Sequence, residues 1–168
     1  MTSYEQVAIS LWHPEIERLR LPPLTDELVV DAEGQLGVRL PPDLIHLLRT
    51  QNGGVIADAW DAFPTDASVY ADDHVPFDHL YGIGPADQAG TTTLLDTPYL
   101  VREWELPSPV VLLSGQGHYW IALDYRECGP AGTPSVVWLD NEMDQELQLA
   151  PDIRAFVERL TASDSFPE

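Results

Sequence analysis

The sequence predicts a single α+β domain over residues 1–168, built as an antiparallel-rich sheet with helices packed on one face. Three observations predict it. Apolar residues recur at helical spacing near both ends of the chain, and β-rich runs separated by glycine-containing turns lie between them. A chain of 168 residues, 44% of them apolar, is the size of one domain around one core. Helices that flank a run of strands, instead of alternating with them, argue for a helical layer on an antiparallel sheet.

Each element has a local cause. Within Tyr4–Arg20, Val7, Ala8, Leu11, Trp12, Ile16 and Leu19 lie close to helical spacing and Pro14 interrupts them, so a broken helix is expected. Thr25 can cap a helix whose first turn carries Asp26 and Glu27, where carboxylates favour the positive end of the dipole. Leu28, Val29, Ala32 and Leu36 would face inward, and Gly37 can end the helix in the left-handed conformation. Leu40-Pro41-Pro42-Asp43 starts the next helix with proline in its first turn; Leu44, Ile45, Leu47 and Leu48 supply the buried face and Asn52-Gly53-Gly54 stops it.

From Val55 to Leu80 glycine, proline and aspartate punctuate the chain while Trp60, Phe63, Tyr70 and Phe77 recur, which predicts a long, partly packed loop with short strands. Tyr81 to Gly84 reads as a strand end, and Thr91 to Trp104 as a helix that Pro98 opposes. Val110–Leu113, His118–Asp124 and Ser135–Asp140 are β-rich and predict a meander. Ile153, Phe156, Val157 and Leu160 form the stripe of a closing helix near Pro151.

Charge restricts the partners. The chain carries 28 acidic residues against 8 basic ones, a formal charge of −20, and every basic residue is arginine. Binding a phosphate backbone depends on Lys and Arg displacing counterions, so nucleic acid and anionic membrane are poor partners, and a cation or a basic protein is favoured. Between Arg49 and Arg102 no basic residue occurs, while Asp58, Asp61, Asp66, Asp72, Asp73, Asp78, Asp87 and Asp96 do. A second such interval, Asp140 to Asp152, holds Glu142, Asp144 and Glu146. Spread over roughly 8,000 Å², the excess charge averages about one per 400 Å², far below the density of duplex DNA, so imitation of DNA would need clustering on one face. The single cysteine, Cys128, cannot form an intramolecular disulfide, and no basic leader or long apolar run is present; both favour the cytoplasm.

Chemistry is less well supported. Asp72, Asp73, His74, Asp78 and His79 are ligand types in one acidic loop, but their spacing matches no metal motif, and no metal or cofactor is expected. Ser114, His118, Asp124 and Asp140 could be arranged as a hydrolase, yet Ser114 lacks the glycine two residues before it that a nucleophile elbow has. Gly82-Ile83-Gly84 lacks the third glycine of a dinucleotide fingerprint. No catalytic residue is assigned.

The stretch Ala32-Glu33-Gly34-Gln35-Leu36-Gly37-Val38-Arg39-Leu40-Pro41-Pro42-Asp43-Leu44, followed by Leu47-Leu48 and Asn52-Gly53-Gly54, resembles the amino-terminal signature of the SUKH superfamily, the Smi/Knr-type proteins. Tyr119–Asp124, Val136–Asp140 and Ile153–Leu160 are similar to the family's strands and final helix. The resemblance implies a SUKH-like α+β domain, not an enzyme, that acts as an immunity protein: it binds a cognate polymorphic toxin, often a nuclease or other nucleic-acid-directed enzyme, and blocks it. The alternative it implies is a regulatory or scaffold module like the fungal cell-wall regulators. The motif residues themselves read as structural. The partner would be a toxin with a basic surface, met by Asp72, Asp73, Asp78, Asp140, Glu142, Asp144 and Glu146, with Trp60, Tyr70 and Trp120 as aromatic anchors.

Overall fold

A computed structural model describes residues 2–66, 70–71, 73–85 and 90–167. Helix α1 (Tyr4–Ala8) begins at a capping box in which the Ser3 hydroxyl accepts from the Gln6 N–H. The expected broken helix is thus one short helix; beyond it Trp12 joins the sheet-like pairing of Ile56 instead of continuing the spiral. Helix α2 (Asp26–Leu36) has the anticipated caps, Thr25 Oγ1 accepting from Leu28 N–H and Gly37 at φ 71°. Helix α3 (Pro42–Thr50) starts at Pro41-Pro42 and buries Leu44, Leu47 and Leu48. Glu33 ties the two together, its Oε2 accepting the Leu40 N–H at 2.8 Å just ahead of the prolines.

After α3 the chain forms a buried polar knot. Asn52, 2% exposed, donates from Nδ2 to the carbonyls of Pro22 (2.9 Å) and Ile83 (2.8 Å) and accepts the Ile83 N–H on Oδ1 (2.8 Å). Leu21 N–H completes it by donating to the Asn52 carbonyl at 2.9 Å. Gly53 is at φ 89°, and a side chain there would sit 2.6 Å from the Gly82 nitrogen. The backbones of Asn52-Gly53 and Gly82 therefore touch, which only glycine permits.

The middle of the chain contains the expected short strands. β1 (Gly54–Val55) pairs with β4 (His79–Leu80), and β2 (Ala62–Pro64) with β3 (His74–Pro76), both antiparallel. A 3₁₀ turn at Leu94–Asp96 leads into α4 (Thr97–Glu103), so the helical pattern over Thr91–Trp104 is real only in its second half, and Pro98 lies in the first turn of α4, where a missing N–H costs nothing.

Four antiparallel strands in chain order form the main sheet: β5 (Val110–Gly115), β6 (Tyr119–Asp124), β7 (Ser135–Asp140) and β8 (Gln145–Ala150). The meander and the α+β class are as the sequence predicts. β8 is an addition, because Gln145, Glu146 and Gln148 have weak strand preference and mask the inward alternation of Leu147 and Leu149. Residues Trp120–Leu123 and Val136–Leu139 are buried on both faces, which explains their unbroken apolar runs. Helix α5 (Ile153–Glu158) packs on β7 and β8 and on α1, where the Arg154 guanidinium lies 4.7 Å from the Tyr4 ring centroid and 2.9 Å from Glu5. No described helix is long and apolar enough to cross a membrane.

Candidate functional site

Residues from the two arginine-free intervals meet at one end of the main sheet, where the β5–β6 and β7–β8 turns lie side by side. Tyr119 pairs with Asp140 in the ladder, and Asn141 N–H donates to the His118 carbonyl at 3.2 Å, which fixes the two turns as neighbours. Across them His118 Nδ1 stands 3.2 Å from Glu142. Gln116, in the first turn, donates from Nε2 to Asp78 at 2.7 Å and so brings the β3–β4 connection to the same end.

Aromatic rings continue the surface. Tyr70, 52% exposed, packs edge-on against Tyr119 with centroids 5.8 Å apart and against His74 at 5.9 Å. His74 Nδ1 in turn lies 2.7 Å from Asp73. Asp73, Asp78 and Glu142 are therefore joined through Tyr70, Tyr119 and Gln116 in one continuous region.

The electrostatics of this end differ from the rest of the molecule. Elsewhere arginine neutralises carboxylates: Arg49 meets Asp26, Arg154 meets Glu5 and Asp43, and Arg126 meets Asp124 and Glu146. At the sheet end the ion-pair partners of Asp73, Asp78 and Glu142 are His74, His79 and His118, and an imidazole offsets a carboxylate only when protonated; Arg18 adds a longer-range positive charge at Asp78. The hydrogen bond from His79, at 2.8 Å, holds the Asp78 carboxyl below the usual aspartate range despite its partial burial. Burial and the nearby Asp78 charge push the Tyr119 phenol up to about 12, so it remains a neutral hydrogen-bonding group.

Not every expected contact residue belongs here. Trp120 is 1% exposed, lying across Gly115 with its ring centroid 5.7 Å from that of Trp104; it is a core residue and not a partner anchor. Strand alternation decides this: Trp120 and Tyr119 point to opposite faces, and Trp104 covers the former. Asp140 is 8% exposed and accepts the Met143 N–H at 2.8 Å, so it shapes the β7–β8 turn instead of projecting from it. Glu146 is exposed, but its charge is taken up by Arg126. Asp144 is exposed in the β7–β8 turn at φ 53°. Trp60 is half-buried beside α1, donating from Nε1 to Ser10 Oγ at 3.1 Å. Asp72 lies outside the described residues.

The alternative chemistries find no assembled geometry. His118 faces Glu142, Asp124 faces Arg126, Asp140 caps a turn, and Ser114 is buried, so the four do not converge. Asp73–His74 and Asp78–His79 form separate pairs, and among the described residues no three ligand-type side chains group as a metal site. Gly82 and Gly84 serve the Asn52 knot and the packing of Leu21, not a phosphate.

The Glu33–Leu40 contact, the proline-started α3 and the Asn52 knot give the amino-terminal signature a structural role residue by residue. A model of the SMI1/KNR4 family (SUKH-1) matches residues 23–159, which include Glu33, Leu40, all of α3, Asn52 and Ile83. The chain belongs to the SMI1/KNR4 family. No curated protein and no solved structure matches it. The SMI1/KNR4 match runs from the turn before α2 into the end of α5, and so takes in the sheet end with its acidic and aromatic groups.

Proposed function

We propose that this SMI1/KNR4 protein is a stoichiometric, non-enzymatic immunity protein of the cytoplasm that neutralises a cognate toxin by covering a basic surface of it. The observation that supports this most directly is the convergence of Asp73, Asp78 and Glu142 beside exposed Tyr70, with histidines as their close ion-pair partners. A basic groove of a nuclease or other nucleic-acid-directed toxin is complementary to such a face, and the same charge disfavours nucleic acid as a direct ligand. The net charge of −20 would steer encounter, raising association toward about 10⁸ M⁻¹s⁻¹ at low salt. Tyr70 would supply apolar contact at the centre, where charge alone gives little affinity.

Co-expression with the product of the adjacent reading frame tests the reading: growth should be rescued and a one-to-one complex should co-purify. Stopped-flow association of that pair should slow at least tenfold between about 20 and 200 mM salt, as screening shortens the reach of the field. A salt-independent rate would remove the electrostatic part, and failure to rescue or bind would remove the immunity reading.

A further inference from the structure

A second acidic feature lies beside the sheet end. A groove of about 310 Å³ runs between Trp104–Pro107 and the β7–β8 hairpin, and its lining includes Glu105, Asp140, Asn141, Asp144 and Glu146 and no basic residue. One wall is aromatic: Trp104 is 37% exposed although its inner edge rests on Trp120. Glu105 and Asp144 are exposed, and neither has a basic partner among the described residues. Asn141 Oδ1, in the lining, is enclosed with no hydrogen-bond donor, and the buried carboxylate of Asp140 meets only the Met143 N–H. Of the four carboxylates in the lining, Glu146 is paired with Arg126 and Asp140 is committed to the turn, which leaves Glu105 and Asp144 available to an incoming cation.

We propose that this groove seats an arginine side chain of the protein partner, its guanidinium stacked on the Trp104 indole and held by Glu105 and Asp144. This rests on the reading of the molecule as a binder of a basic protein surface and adds where one anchor enters. Three properties favour arginine as the occupant. A planar guanidinium stacks on an indole and forks toward carboxylates, which a lysine ammonium does not do. It carries five donors and no acceptor, the complement of the two exposed carboxylates of Glu105 and Asp144. The volume is at the lower end of the roughly 300–1,000 Å³ of ligand pockets, suited to one long side chain and its backbone.

The probe is the capped peptide Gly-Arg-Gly-Arg-Gly, titrated into the full, isotope-labelled chain in low salt and followed by NMR, with a citrulline-for-arginine peptide as the uncharged control. Saturable shifts are expected at the Trp104 indole N–H and the amides of residues 140–146, with none from the citrulline peptide. E105Q/D144N replaces exposed carboxylates by isosteric amides and should weaken binding about three- to twentyfold, the range expected for two exposed pairs. Unchanged affinity in that variant, or an equal response to citrulline, overturns the proposal. Shifts centred instead on Tyr70, Asp73 and Asp78 also overturn it while leaving the acidic-face reading intact. A toxin complex indifferent to E105Q/D144N whose association still slows with salt has the same meaning.

Discussion

Replacing Asn52 by alanine tests the joint that holds the end of α3 to the turn before α2 and to the segment that follows β4. The side chain is 2% exposed and makes three hydrogen bonds, to Pro22 O, Ile83 O and Ile83 N, at 2.8–2.9 Å. Alanine leaves the Ile83 N–H and C=O enclosed without partners, and each such orphan costs about 1–3 kcal/mol, so the loss should total about 3 kcal/mol. For a domain of this size that lowers Tm by roughly 6–12 °C, and with a urea slope near about 2 kcal/mol/M it moves the midpoint down by about 1.5 M. Urea unfolding followed by tryptophan fluorescence, with the slope unchanged, is the assay. Asn52→Asp should not rescue, since the carboxylate keeps the acceptor for Ile83 N–H but turns its second oxygen onto two carbonyls. Gly82→Ala attacks the same joint from the other side, because its methyl would lie against the Asn52 carbonyl oxygen and 2.7 Å from the carbonyl carbon. A loss below about 0.5 kcal/mol in both Asn52→Ala and Gly82→Ala would show that the knot does not hold these three segments together.

Other substitutions should separate packing from recognition. Gly34→Ala lies inside α2 with nothing within 4 Å of the added methyl, so it should raise stability by about 0.5–1 kcal/mol, seen as a higher urea midpoint; a decrease would place an unseen constraint on that helix. Trp120→Ala should cost about 3–5 kcal/mol as a core deletion, and a near-neutral result in thermal unfolding would contradict its burial. The Asp78 carboxyl is held low by His79, so the folded state favours its ionised form and the stabilisation is complete above about pH 4. The stability gap between wild type and Asp78→Asn should shrink as pH falls through that carboxyl's folded-state range, by only a few tenths of a kcal/mol because the side chain is 48% exposed. A gap that widened on acidification would reverse the assigned cause.

Much of the architecture follows from local chemistry. Thr25, Gly37 and Pro41-Pro42 set the limits of α2 and α3 because capping and proline geometry are decided within a few residues. The β5–β7 meander is legible for the same kind of reason, as apolar runs broken by glycine turns. β8 is not, because its stability comes from register with β7 and from burying Leu147 and Leu149, while its own residues prefer other states.

The candidate site divides along the same line. Amino-acid composition alone determines that the surface is strongly negative, that arginine is scarce over two long intervals, and that a basic partner suits the molecule better than a polyanion. Which carboxylates stand together was settled by the ladder pairing Tyr119 with Asp140 and by Gln116 reaching Asp78. Tertiary packing likewise hid Trp120 and Asp140, gave Glu146 to Arg126, and left Tyr70 and Trp104 in solvent. The physical reason is range: caps, turns and net charge are sums over neighbouring or individual residues, whereas exposure and charge clustering depend on contacts between positions tens of residues apart, which only the closed chain creates.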